Sequence, residues 1–73
     1  MPKELIWSGD ALARCMKRKG ASETQVGAAV GVSARTVRNW KGGMEPRREH
    51  HKVELARYFR VDRKSFFKRE TVT

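Results

Sequence analysis

Residues 22–43 read SETQVGAAVGVSARTVRNWKGG, and this stretch contains the signals that decide the fold. Ser22 and Gln25 have the spacing of a capping box, in which two side chains satisfy the free backbone N–H groups at a helix start. Gly31 is a typical helix stop, and Ser33, two residues later, is a natural N-cap for a second helix. The stretch therefore predicts two short helices joined by a tight turn.

Two short helices joined in this way cross at a steep angle, so they need a small residue where they touch and apolar residues that anchor both. The small residues are Gly27 and Ala28. The apolar anchors are Val26, Val30, Val32, Val37 and Trp40. With Val37 and Trp40 buried, the second helix, Ala34 to Lys41, exposes polar and basic side chains. Arginine can donate two hydrogen bonds to guanine and asparagine can pair with adenine, so this pattern is typical of a helix that reads the DNA major groove.

Helix signals continue on both sides of this stretch. Leu12, Cys15 and Met16 have helical spacing in a first helix predicted from Ser8 to Lys19, and Gly20 ends it. Residues 1–7 form an N-terminal arm, in which Leu5–Trp7 either begin this helix or remain a separate apolar segment. Trp7 then either packs on the bundle or forms a dimer contact, and the sequence favours packing.

The C-terminal half predicts two more helices. Pro46 suits the first turn of a fourth helix that runs to about Phe59 and buries Val53 along with later apolar residues. Asp62 caps a short fifth helix that carries Phe66 and Phe67, and residues 70–73 form a polar tail. Residues 1–73 are thus predicted to be one all-α domain, a compact five-helix bundle.

Composition narrows the function classes. The chain has 73 residues, with 17 Lys and Arg against 8 Asp and Glu, for a formal net charge of +9, which favours polyanionic partners. A single cysteine, Cys15, cannot form an intramolecular disulfide. No apolar run is long enough to span a membrane, and residues 1–10 lack the pattern of a secretory signal, so we expect a cytoplasmic protein.

Catalytic and metal chemistry find no support in the sequence. His50 and His51 are adjacent, so on a helix they point in different directions and cannot chelate one metal ion together. No nucleophile–base pair, carboxylate pair or glycine-rich phosphate loop can be assembled. We therefore expect no enzyme activity, no cofactor, no metal and no small-molecule ligand.

Residues 24–40, together with Gly43, resemble the helix-turn-helix of the Cro and phage-repressor (XRE-like) family, and residues 55–62 resemble its fourth helix and the turn that follows. The resemblance covers about residues 10–68. It implies a five-helix bundle that binds double-stranded operator DNA, usually as a homodimer, to repress transcription from the nucleoid. The residues that match its base-contacting positions are Ser33, Ala34, Arg35, Arg38 and Asn39.

Phosphate contacts are predicted on either side of the base-reading residues. Lys41, Arg47 and Arg48 follow the second helix of the motif, where the DNA backbone would pass. At the start of the first helix of the motif, Thr24 or Gln25 could contact a phosphate.

Departures from the family pattern bear on these roles. Glu23 stands where a phosphate-contacting Gln is common and would repel phosphate. Met16 and Lys41 replace an Arg–Glu pair of the family, which would leave Lys41 free to face DNA. Gly27 stands where Ala is usual, and Arg60 where Gly is usual.

Two other function classes stay open on the sequence alone. One is an antitoxin-type regulator that also binds a partner protein. The other is a nonspecific nucleic-acid binder that is attracted by charge alone. Of the remaining basic clusters, the one at the end of the first helix and the one after Phe59 are interpreted as solvated faces. The first cluster comprises Arg14, Lys17, Arg18 and Lys19.

Overall fold

The computed structural model of the protein describes residues 3–71, with side chains for residues 6–68. Residues 3–71 form four α-helices, one 3-10 turn and a two-stranded sheet. The ends of the predicted arm and tail, residues 1–2 and 72–73, lie outside the described residues. The elements in chain order are β1 (Lys3–Trp7), α1 (Gly9–Lys19), α2 (Glu23–Val30), α3 (Ala34–Lys41), α4 (Glu49–Phe59), the 3-10 turn (Arg63–Phe66) and β2 (Phe67–Thr71).

The first three helices begin and end where their capping residues predict. Ser8 caps α1 by accepting the backbone N–H of Ala11, and Gly20 ends that helix in a left-handed conformation. Ser22 caps α2 and Ser33 caps α3 in the same way as Ser8. Local hydrogen bonding is sufficient to fix these boundaries, which is why short sequence patterns locate them.

The fourth helix begins three residues later than Pro46 predicts. Pro46 is fully buried in the core, and Arg48 has an extended backbone with φ −93° and ψ 130°, so the first helical residue is Glu49. Pro46 therefore buries its ring in the segment that precedes α4, and it does not belong to the first turn of the helix. Val53, which the sequence predicts to be buried, is 37% exposed.

The predicted all-α five-helix bundle is wrong at its two ends. Asp62 does cap a helical turn, through the backbone N–H of Lys64, but the turn ends at Phe66 and the chain continues as a strand. Strand β2 pairs antiparallel with β1, in a register that runs from Lys3 opposite Thr71 to Trp7 opposite Phe67. We call this two-stranded sheet the terminal ribbon. Residues 3–7 of the predicted N-terminal arm and residues 70–71 of the predicted polar tail thus belong to a sheet.

The change from helix to strand has a physical reason in the two adjacent phenylalanines. Phe66 ends the 3-10 turn and is fully buried. Phe67 has an extended backbone, which places its half-buried ring edge-on to Trp7, its partner on β1. The backbone N–H of Ser8 donates to the carbonyl of Phe66 at 2.7 Å, and this bond aligns the two chain ends.

One apolar cluster joins all of these elements. It confirms the predicted packing of Trp7 on the bundle and the inward placement of the helix-turn-helix anchors. Its buried members are Trp7, Leu12, Met16, Val26, Val30, Val37, Trp40, Leu55 and Phe66. Among residues 3–71, no helix is long and apolar enough to cross a membrane.

Candidate nucleic-acid interface

The crossing of α2 and α3 depends on direct backbone contact at Gly27. A Cβ atom at this position would lie 2.5 Å from the carbonyl oxygen of Val32, closer than real contacts allow. The backbone N–H groups of Gly31 and Val32 both donate to the Gly27 carbonyl, at 2.7 and 2.8 Å. Gly31 has φ +91°, a conformation that glycine adopts at little cost. The predicted roles of Gly27 and Gly31 are therefore confirmed, whereas Ala28, the other small residue predicted at the crossing, is exposed.

Helix α3 divides into a buried side and an exposed side. Val37 is fully buried and Trp40 is 3% exposed, whereas Arg35, Arg38 and Asn39 are exposed. Residues three and four apart are neighbours on a helix surface, so these three side chains share one side of α3. We call them the reading face.

The other two predicted base-contacting residues lie at the start of α3 and are less available. Ala34 is half-buried. Ser33 is exposed, but its hydroxyl oxygen accepts the backbone N–H of Thr36 at 3.2 Å and lies 3.0 Å from the Thr36 hydroxyl. The helix cap thus already uses part of the hydrogen-bonding capacity of Ser33.

Four of the five predicted phosphate-contacting residues are exposed and come before or after α3 along the chain. Thr24 and Gln25 are exposed in the first turn of α2. Gln25 uses its carbonyl oxygen to accept the Ser22 N–H at 2.8 Å, which completes the capping box but leaves its amide nitrogen out of that pair. Arg47 and Arg48 are exposed and line the same shallow depression as Thr36 and Trp40, which places them beside α3.

Glu23 forms ion pairs with two basic residues in the second half of α3. Its Oε1 accepts from Arg38 Nε at 3.3 Å and from Arg38 Nη2 at 3.2 Å. Its Oε2 accepts from Lys41 Nζ at 3.4 Å. The expectation that Lys41 has no ion-pair partner is therefore wrong, because an ion pair between α2 and α3 replaces the Arg–Glu pair expected between the first and third helices.

Exposure and charge differ sharply across this ion-pair group. The Arg38 side chain is 74% exposed, whereas those of Lys41 and Glu23 are 33% and 22% exposed. The hydrogen bond from Arg38 and, against the opposing effect of burial, that from Lys41 hold the pKa of the Glu23 carboxyl below its ordinary value. Glu23 is therefore an anion at neutral pH, and the end of Arg38 points into solvent beside it.

Two contacts that the sequence does not predict fix the C-terminal end of α3. The indole Nε1–H of Trp7 donates to the Trp40 carbonyl at 2.9 Å in a buried hydrogen bond. A Cβ atom at Gly9 would lie 2.1 Å from the Lys41 carbonyl oxygen, so α1 begins directly against the end of α3. A buried tryptophan needs a hydrogen-bond acceptor for its N–H. From the sequence, this rule could have indicated that Trp7 has a partner, but not that the partner is the Trp40 carbonyl.

The histidines and the cysteine of the described residues lie against the core or one another rather than around a metal ion. His51 packs on the Trp40 ring with 5.4 Å between centroids, and burial lowers its pKa, with further lowering by the charges of His50 and Arg48. Residues 3–71 contain no group of three or more His, Cys, Asp or Glu side chains that could hold a metal ion. Cys15 is half-buried and packs against the core.

Comparison with solved structures shows that a known protein has a similar fold. The fold is similar to the solution structure of the SOS-response transcriptional repressor LexA from Eubacterium rectale, with a TM-score of 0.74 and 18% sequence identity. The match covers 89% of this chain and 69% of that chain. The two chains share a fold. No family model matches the sequence, and no curated protein matches it either.

Proposed function

We propose that this protein binds double-stranded DNA in a sequence-specific manner and acts as a small Cro-like transcriptional repressor by occupying an operator. The observation that carries the proposal is the reading face: Arg35, Arg38 and Asn39 are exposed together on a helix that packs on α2 through close backbone contact at Gly27. The formal net charge of +9 supplies the attraction to DNA. That a chain of similar fold is a transcriptional repressor supports the same assignment.

In this proposal α3 enters the major groove. Arg35, Arg38 and Asn39 hydrogen-bond to base edges, and Ser33 and Ala34 approach the edges at the start of the helix. Contacts to the DNA backbone fall to the residues that flank the reading face, where they set the orientation of the domain rather than its sequence preference. Those residues are Thr24, Gln25, Lys41, Arg47 and Arg48.

A regulator of this kind works in the cytoplasm on the nucleoid and binds its operator as a homodimer. The half-sites of such an operator lie about 34 Å apart, one turn of the double helix. With about eight phosphate contacts in a dimer, the logarithm of affinity falls against the logarithm of salt concentration with a slope of about −7.

Selection of bound sites from a randomised DNA pool at a fixed salt concentration tests the proposal. We expect an enriched consensus with two-fold symmetry. Arg35→Ala is the informative variant, because Arg35 is exposed on the reading face. It should abolish the preference at one base pair in each half-site. Arg14→Ala is the matched control, since it makes the same change at an exposed position on α1 and should weaken all sequences uniformly or not at all.

Other outcomes of this selection point elsewhere. Equal, uniform weakening by both variants and no enriched sequence would indicate a nonspecific polyanion binder. Affinity that does not respond to salt would contradict the backbone contacts and with them the whole mechanism.

A further inference from the structure

A carboxylate on a proposed DNA-binding surface requires an explanation. Glu23 begins α2, and its two oxygens bind Arg38 and Lys41, both of which belong to α3. Phosphate groups carry the same sign of charge as Glu23, so this side chain weakens attraction to the DNA backbone. We propose that Glu23 is a specificity-determining residue that positions Arg38 for guanine and prevents Arg38 from binding phosphate indiscriminately. This inference rests on the proposed function.

The hydrogen bonds to Glu23 leave one edge of Arg38 unoccupied by this contact. A guanidinium group has five N–H donors in a rigid plane. Oε1 of Glu23 accepts from Nε and Nη2, which accounts for the donors on the side nearest α2. The N–H groups at the end of the group, on Nη1 and Nη2, belong to a side chain that is 74% exposed. Two such parallel donors match O6 and N7 of guanine.

Positioning of this kind raises discrimination by reducing the conformational freedom of the reader. An exposed arginine has several rotamers and loses that freedom when it binds a base. The two hydrogen bonds to Glu23 select one orientation before DNA arrives. A base pair that offers two acceptors to the free edge then keeps the ion pair intact, whereas a base pair without them gains little from the same arginine.

The charge of Glu23 acts in the same direction. A DNA phosphate that approached Arg38 would come close to the carboxylate or would have to displace it. Guanine offers neutral acceptors, so it avoids most of this repulsion. Glu23 therefore lowers the affinity for DNA of any sequence more than it lowers the affinity for the correct site.

If the role of Glu23 were purely structural, Glu23→Gln would act by lowering the stability of the fold. Ion pairs with a highly exposed partner contribute little to folding, so Glu23→Gln should leave the fold and its thermal melting nearly unchanged. An effect of Glu23 on sequence preference would then come from the interface with DNA and not from loss of structure.

The experiment measures the affinity of Glu23→Gln for three duplexes. These are the site selected by the wild-type protein, the same site with the guanine assigned to Arg38 replaced, and a random duplex. Arg38→Ala identifies that guanine by its loss of preference at one position. We expect Glu23→Gln to bind the random duplex more tightly and to lose about tenfold in discrimination at the assigned base pair. Its salt dependence should steepen by about 0.9 for each additional phosphate that the variant binds.

Glu54→Gln is the matched control, because Glu54 pairs with Arg57 on α4 and makes the same change in net charge. It should shift all three affinities by one common factor. A double variant, Glu23→Gln with Arg38→Ala, should show no further loss at the assigned base pair beyond Arg38→Ala alone.

The outcomes separate the two proposals. If the wild-type protein selects a sequence but Glu23→Gln keeps the full discrimination, or changes it no more than Glu54→Gln does, the role of Glu23 is refuted while the proposed function stands. If the wild-type protein selects no sequence, the proposed function itself fails.

Discussion

The helix-turn-helix of residues 22–43 and the terminal ribbon are held together by contacts of opposite range. In the helix-turn-helix, caps join residues three apart, and the turn is closed by bonds from Gly31 and Val32 to Gly27. In the ribbon, the strands come from the two ends of the chain. The first region is specified by local chemistry, whereas the second exists only once the whole chain has folded. The ribbon nevertheless reaches the helix-turn-helix directly, because Trp7 hydrogen-bonds to Trp40.

Trp7→Ala should produce the largest loss of stability. Trp7 is 5% exposed and packs on Phe66 and Phe67, with 5.7 Å between ring centroids in both cases. Removing a buried tryptophan costs about 3–5 kcal/mol, and a chain of this size has a total stability of only about 4–11 kcal/mol. Urea unfolding followed by far-ultraviolet circular dichroism should show a midpoint at a much lower urea concentration than that of the wild-type protein.

Trp7→Phe serves as the control for the hydrogen bond. It keeps an aromatic ring in the cluster but leaves the Trp40 carbonyl without the indole donor, which should cost about 1–3 kcal/mol. A loss below about 1 kcal/mol in Trp7→Ala would show that the ribbon contributes little to holding α3.

Gly27→Ala tests the local region in the same way. The added methyl group would lie 2.5 Å from the Val32 carbonyl oxygen, so the helices must separate. The strain exceeds the gain of about 1 kcal/mol in helix propensity, and we expect a net loss of about 1–2 kcal/mol in the free energy of unfolding. Gly42→Ala is the matched control, since Gly42 has φ −79° and an added Cβ atom would lie 3.4 Å from the nearest atom, the Asn39 carbonyl oxygen.

The control should leave stability unchanged or raise it by up to about 1 kcal/mol. Because the crossing of α2 and α3 aims the reading face, Gly27→Ala should also weaken binding to the selected DNA site beyond its effect on stability. Equal stability losses in the two alanine variants would refute close approach at Gly27.

The contrast between the two regions explains how far the sequence could predict this molecule. Ser22, Gly31 and Ser33 act on their immediate neighbours, so their roles can be read from spacing alone. The sequence predicts a fifth helix through Phe67 and a polar tail from Glu70, and nothing in this part of the chain indicates Lys3–Trp7 as a strand partner. Pairing between chain ends carries no local pattern that is long enough to detect.

The features of the candidate interface also differ in whether local sequence predicts them. The exposure of Arg35, Arg38 and Asn39 follows from helical periodicity, so the sequence predicts it. The pairing of Lys41 with Glu23 does not follow in this way, because it depends on the angle at which α2 crosses α3 and so on the backbone contact at Gly27. Which basic side chains are already paired is a property of the fold, and sequence patterns give only their side of the helix.

Gly31 and Arg60 offer a last comparison, since both end a helix in the left-handed conformation, one inside the helix-turn-helix and one on the way to the ribbon. Gly31 has φ +91° and Arg60 has φ +55°. This conformation costs an L-residue with a side chain about 1–2 kcal/mol, and glycine avoids most of that cost while losing about 0.5–1 kcal/mol through backbone entropy. Arg60→Gly should therefore raise the free energy of unfolding by about 0.5–1 kcal/mol in urea titrations.

Arg57→Gly, the same substitution at an exposed position inside α4, should lower the free energy of unfolding by about 1 kcal/mol. Opposite signs for two identical substitutions three residues apart would locate the effect in the backbone at Arg60, because both variants remove one positive charge and one long side chain. Arg60→Gly could instead destabilise the protein. The Arg60 side chain, which lies beside Cys15 and Phe59, would then stabilise the fold by more than its left-handed backbone conformation costs. The turn that leads to the ribbon would in that case be held by side-chain packing.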